Sequence, residues 1–219
     1  MRPATPVVDP AAARRALRTS ECWNHNTHYH RFIPRWAPPP WGRALDVGCG
    51  EGLLTRRLAP FAAEVAGIDA DAAMIARARE LAPPNATYVH GDVLAVDRAG
   101  ALFDLVTCVA TLHHLPLAEG LARLRAAVAP GGTLVVIGMA RAGSAPDLAW
   151  HGFGTLANTP GRLVRGHWEP GAPIKNPAQT YGEVVEAAAR ILPGARFRHH
   201  LYWRYSLVWR APEGVSRAR

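Results

Sequence analysis

The chain has 219 residues, a formal net charge of +8, 49% hydrophobic residues and 19% charged ones. That length suits one domain with a sizeable buried core, and that composition is the composition of a soluble globular protein. No stretch approaches the roughly 18 uninterrupted apolar residues of a membrane-spanning helix. The first residues also lack the apolar core of a signal peptide. Cys22, Cys49 and Cys108 are odd in number and widely spaced. This argues against a disulfide framework or a zinc ribbon and leads us to expect a cytoplasmic protein. The basic residues are almost all Arg, scattered without a long run, and Lys175 is the only Lys. A solvated basic surface accounts for the charge as well as a nucleic-acid partner does.

In chain order, the first distinctive stretch is "WNHNTHYHRF", from Trp23 to Phe32. His25 and His28 are three apart and could share a helical face, but His30 does not join them on it. The stretch itself contains no carboxylate, and a catalytic metal usually takes three protein ligands, so no metal is expected here. A Pro-rich joint, "RWAPPPWGR", follows. It divides an N-terminal segment (residues 1–36) from a main body (37–219).

Beyond the joint, short apolar runs alternate with helix-like stripes. Residues 44–47, 64–69, 86–90, 103–109 and 133–138 read as strands. They are continuous rather than alternating, as in a parallel sheet covered on both faces. Leu53, Leu54 and Leu58 make one helical stripe; Met74, Ala78 and Leu81 a second; Leu117, Leu121, Leu124 and Val128 a third, ended by "APGG". This alternation predicts a doubly wound α/β sheet. Residues 140–177 form a long Gly/Pro-broken insertion, 179–190 a helix, and 195–202 with 204–210 two strands in a tight antiparallel pair.

"LDVGCGEG" places Asp46, Gly48, Cys49, Gly50 and Gly52 at the first strand–helix turn. Glycines there let the backbone approach a ligand and adopt positive φ. The dinucleotide fingerprint wants a third Gly three residues beyond the second, where this chain has Leu53. Asp69 ends the second strand, where an acid can bond ribose hydroxyls. The pattern supports a nucleoside without a pyrophosphate site.

The ordered set "LDVGCGEG", "GIDADAAMI", "VHGDV", "FDLVTCVATLHHLP" and "VAPGGTLVVIG" resembles the class I S-adenosylmethionine-dependent methyltransferases over roughly residues 43–138. The resemblance implies a Rossmann-like seven-stranded sheet whose last strand is antiparallel, with S-adenosyl-L-methionine as cofactor and S-adenosyl-L-homocysteine as product. It implies that Gly48, Cys49 and Gly50 lie against the methionyl part, with Asp46 behind them. Asp69, with Ala70 beside it, would hold the ribose. Met74 would pack on the adenine, Gly91, Asp92 and Val93 would meet the adenine edge, and Val109 would face the methionyl end.

For the transfer itself, the protein must hold the nucleophile in line and, for a hydroxyl, help remove its proton. His113 and His114 follow the fourth strand at the carboxyl edge of the sheet and suit a general base, or a structural pair lining the pocket. The family's Asp/Asn-Pro-Pro-aromatic and Pro-Cys signatures for nucleic-acid bases are absent after that strand, and no RNA-binding appendage is recognisable. A small organic acceptor is therefore expected and nucleic acid is disfavoured, with secondary metabolism as a setting and a monomer or homodimer as the assembly. The alternatives are a tRNA or rRNA methyltransferase, or a non-methylating enzyme that binds the same cofactor. Trp150, Phe153 and Trp168 are candidates for an acceptor wall, with His151 and His167 as polar points. "WNHNTHYHRF" is expected to be a helical lid across the cofactor mouth, with Tyr29 as its first ligand contact, His28 or His30 as secondary ones, and a sheet that folds without it.

Overall fold

The computed structural model of the protein describes residues 9–17, 22–95, 101–150 and 176–213. Its strands are β1 (Trp41–Val47), β2 (Ala62–Asp69), β3 (Ala86–His90), β4 (Phe103–Val109), β5 (Val128–Gly138), β6 (Arg196–His200) and β7 (Arg204–Arg210). They form one seven-stranded sheet in the order β3-β2-β1-β4-β5-β7-β6. The pairs β1–β2, β1–β4, β2–β3 and β4–β5 are parallel, and β7 runs antiparallel between β5 and β6. The expected doubly wound sheet with an antiparallel last strand is what the chain forms. Because the chain winds outward from β1 in one direction and then returns to β4 on the other side, the carboxyl ends of β1 and β4 part around a crevice.

Among the described residues the helices include α1 (Pro10–Ala16), α2 (Ile33–Trp36), α3 (Leu53–Leu58), α4 (Ala72–Glu80), α5 (Leu117–Ala126) and α6 (Tyr181–Ile191). β5 shows why an inner strand is apolar over successive positions, here residues 134–137. Leu134 and Val136 join a cluster with Leu121, Leu124 and Val184 of α5 and α6. Val135 and Ile137, alternating to the other face, join Leu54, Leu58 and the N-terminal residues Leu17, Trp23 and Ile33. Both faces are covered, so neither half of the alternation is left for polar residues. α6 begins at a capping box: Glu183 N donates to Thr180 Oγ1 (3.2 Å) while Thr180 N donates to Glu183 Oε2 (2.6 Å).

Two helical stripes end earlier than expected. Leu81 lies just past α4 and is exposed. Val128 belongs to β5, not to the preceding helix, which ends at Ala126. The register jumps from Phe103↔Val128 to Leu105↔Thr133, so "APGG" loops out of the ladder as an irregularity, with Gly131 at φ 73°.

Candidate active site

At the end of β1 the chain turns into α3 through Gly48, Gly50 and Gly52, all at left-handed φ (72°, 52° and 79°). Gly48 N and Cys49 N both donate to the Ile68 carbonyl at the end of β2 (2.8 and 3.1 Å), which fixes the loop over the neighbouring strand. A Cβ on Gly48 would run into the Thr111 side chain, whereas one on Gly50 would meet nothing within 4 Å. The loop is thus packed on one side and bare backbone on the side that faces the crevice. Asp46 lies behind it, fully buried, accepting from Thr55 Oγ1 (2.9 Å) and Thr107 Oγ1 (3.0 Å). Burial raises its pKa to about 6 against these hydrogen bonds, which pull it down. It ties α3 to β4 and does not itself line the cavity.

Asp69 accepts from Gly50 N on one carboxylate oxygen (2.8 Å) and from Asp71 N on the other (2.9 Å). Two backbone donors set its plane, and each oxygen keeps a lone pair for a ligand. Asp92 accepts from Leu94 N through Oδ1 (2.8 Å). Together with Gly48, Cys49, Gly50, Ala70, Met74, Gly91, Val93 and Val109, these two acids line a cavity of about 860 Å³ over the carboxyl ends of β1 to β4.

The cavity continues past β4. His113 is buried and His114 exposed; both line it, with ring centroids 4.2 Å apart. The turn that presents them is strained, with Ala110 at φ 53°. The opposite wall comes from the N-terminal segment. Asn24 Oδ1 accepts from Asn26 N and Thr27 N (both 2.9 Å), and Thr27 Oγ1 donates to the Cys22 carbonyl (2.8 Å). This turn starts a 3-10 helix over Thr27–Phe32. Asn24, His25, Asn26, Thr27 and His30 line the cavity.

Tyr29 does not line the cavity. With three residues per turn, Thr27 and His30 share one side of the 3-10 helix, and Tyr29 points elsewhere. Its hydroxyl donates to the Leu201 carbonyl (2.7 Å), pinning the segment to the β6–β7 connection. The histidines part as well. His25 stacks on Tyr202 (4.9 Å, 13° between planes), and His30 Nδ1 meets Arg57 Nη1 at 3.3 Å. Arg can only donate, so Nδ1 is the acceptor there. Burial first and Arg57 second push the His30 pKa down to about 3, leaving a neutral ring. Among the described residues no group of three His, Cys, Asp or Glu side chains is placed to hold a metal ion.

Trp150 is not among the residues that line the cavity; it donates from Nε1 to the His200 carbonyl (3.2 Å) and its ring lies beside that of His199. Phe153, Trp168, His151, His167 and most of the 140–177 insertion lie outside the described residues. Asn24, Asn26, Thr111 and Arg204 line the cavity or shape it and were not singled out from the sequence. The Asx turn at "WNHNT" is a local signal for Asn24. Nothing local marks Arg204, one Arg among many.

The methyltransferase-domain family profile matches residues 44–132. An uncharacterized methyltransferase of Mycobacterium bovis is 38% identical over 193 residues, covering 87% of this chain and 98% of that protein. A ubiquinone biosynthesis O-methyltransferase of Xanthomonas campestris is 37% identical over 118 residues, half of this chain and 48% of the relative. Among solved structures, the N-methyltransferase NodS of Bradyrhizobium japonicum, in complex with S-adenosyl-L-homocysteine, shares the fold at TM-score 0.59 and 20% identity over 93% of this chain and 98% of its own. The chain belongs to the class I S-adenosylmethionine-dependent methyltransferases, and S-adenosylmethionine is its cofactor. The bare backbone at Gly50 and the doubly anchored Asp69 carboxylate fit that group.

Proposed function

We propose that this methyltransferase acts on a hydroxyl of a small organic acceptor held between the His113–His114 turn and the N-terminal segment. The observation that carries this reading is the extent of the cavity. One continuous space runs from the acids after β2 and β3 to the polar wall beyond β4, so there is room for a second small molecule beside the cofactor. The Gly48–Gly50 backbone would lie against the methionyl part, Asp69 would hold the ribose, Met74 would pack on the base, and Asp92 with Val93 would meet its edge. When bound, the cofactor supplies an electrophilic methyl group. His113, buried on the cavity wall, would take the hydroxyl proton as general base, and Asn24 to His30 would shut out water. The O-methyltransferase relative supports an oxygen acceptor.

His113→Ala should cut turnover by about 10²–10⁴-fold while the affinity for S-adenosylhomocysteine stays within a few-fold. Turnover of small phenols and alcohols is read as S-adenosylhomocysteine formed, with bulk tRNA as the competing substrate. Transfer to tRNA alone, falling steeply with salt, would overturn the small-acceptor reading; a His113→Ala enzyme at full rate across pH 6–9 would remove the base.

A further inference from the structure

The cavity is electrically two-sided. Its acids, Glu51, Asp69, Asp71 and Asp92, all follow β1, β2 or β3. The lining beyond β4 holds no acid among the described residues; its ionisable members there are His25, His30, His113, His114 and Arg204. Arg204 opens β7 and is only 7% exposed. Its Nε donates to Asn26 Oδ1 (2.8 Å) and its Nη1 to the Tyr202 carbonyl (2.9 Å). Both acceptors are neutral, and no ion pair links Arg204 to a described carboxylate.

A buried guanidinium without a counter-charge is costly to keep. Burial lowers its pKa to about 10, so it remains a cation at neutral pH. The two bonds it makes also fix its orientation. Asn26 holds the Nε side from the N-terminal segment and Tyr202 holds one Nη1 proton from the hairpin. One N–H on Nη1 and both on Nη2 of the guanidinium fork are left over from these two bonds, enough donors to hold a carboxylate through two hydrogen bonds.

We infer that Arg204 is an oxyanion-recognition residue and that the acceptor carries a carboxylate, which docks on this fork at the β7 end of the cavity. The inference rests on the small-acceptor reading. It adds a substrate class, a hydroxy acid or similarly anionic metabolite, and a polarity, with the acid group held at the Arg204 end and the methylated oxygen toward His113. The carboxylate of the cofactor's methionyl part is the other source of the same chemistry, and the experiment separates the two.

The full-length protein, saturated with S-adenosylhomocysteine, is titrated at constant ionic strength with benzoate and, in parallel, with its uncharged isostere benzamide, while thermal unfolding is followed. Benzoate in tenfold excess over its Kd should raise the Tm by about 3 °C or more. Benzamide should have little effect. Arg204→Gln should abolish the benzoate response. Arg204→Lys, which keeps the charge and loses the fork, should weaken it about tenfold, and covers the case in which the Gln variant fails to fold. Calorimetry should find S-adenosylhomocysteine affinity within about threefold of wild type in the Lys variant. An absent benzoate response, or an equal one to benzamide, overturns the anion site. A benzoate response seen only without S-adenosylhomocysteine, together with a tenfold loss of its affinity in the variants, overturns the acceptor carboxylate and gives Arg204 to the cofactor. Because these readouts are binding, a benzoate response in a protein that methylates no small hydroxyl compound would support the anion site while the proposed activity fails.

Discussion

The two ends of the cavity are built differently. The end over β1 to β3 is made of short loops, each within a few residues of a strand end: Gly48 to Gly52 after β1, Asp69 to Met74 after β2, Gly91 to Val93 after β3. Its polar groups are oriented mainly by backbone donors close by. The end beyond β4 is made of side chains from remote parts of the chain, and the bond between Arg204 and Asn26 joins residues 178 positions apart. The first end can therefore keep its shape through strand geometry alone. The second exists only when the N-terminal segment, the β4 turn and the β6–β7 hairpin are all packed together. The hairpin itself carries left-handed φ at Tyr202 and Trp203 (61° and 52°), held beneath His25.

The largest expected effect breaks that packing. Trp23 and Ile33 share one apolar cluster with Leu54, Leu105, Val135 and Ile137, so the sheet does not stand clear of the segment as the sequence suggested. Trp23→Ala should cost about 3–5 kcal/mol, and removal of residues 1–36 should abolish cooperative thermal unfolding. A truncated protein that melts sharply at the wild-type temperature would show the two ends to be independent.

A smaller effect isolates the first end. Asp69→Ala should weaken S-adenosylhomocysteine binding roughly ten- to a hundredfold, from the loss of hydrogen bonds to a charged acceptor worth about 1.5–3 kcal/mol. The Arg204-dependent benzoate response should survive. Calorimetry giving wild-type affinity in a folded variant would remove Asp69 from the cofactor site.

The smallest effect is a pH dependence that sets one end against the other. Asp46, behind the glycine loop, has its pKa raised from 3.8 to about 6, so its contribution to stability is present below about pH 4 and lost as pH rises through 6. His30, on the opposite wall, is lowered from 6.5 to about 3; its contribution is present above pH 6.5 and lost as pH falls toward 3. Between pH 4 and 6 the two oppose each other, each with a slope of up to about 1.4 kcal/mol per pH unit. Asp46→Asn should therefore lose stability more steeply than wild type on acidification, and His30→Asn less steeply, in urea midpoints measured from pH 4 to 7. Parallel pH profiles for all three proteins would contradict this assignment.

The strands, the doubly wound sheet with its antiparallel last strand, and the glycine loop and acids at the strand ends were legible in the sequence. Continuous apolar runs mean strands buried on both faces, and glycines and acids at strand ends report the local path of the backbone. The direction of Tyr29 was not legible, because a helical lid and a 3-10 turn present different residues to the same cavity, and only the hydroxyl's partner at Leu201 distinguishes them. Nor did the sequence show the partner of Trp150, because aromatic composition says that a ring packs but not against what. Arg204 was invisible among the other arginines. Its meaning comes from burial, from two neutral partners and from the lack of a described acid nearby, and these are properties of segments that meet only in the folded chain. Local chain geometry, written in neighbouring residues, determined the glycine-loop end of the cavity; long-range packing, which no neighbouring residues encode, decided the other.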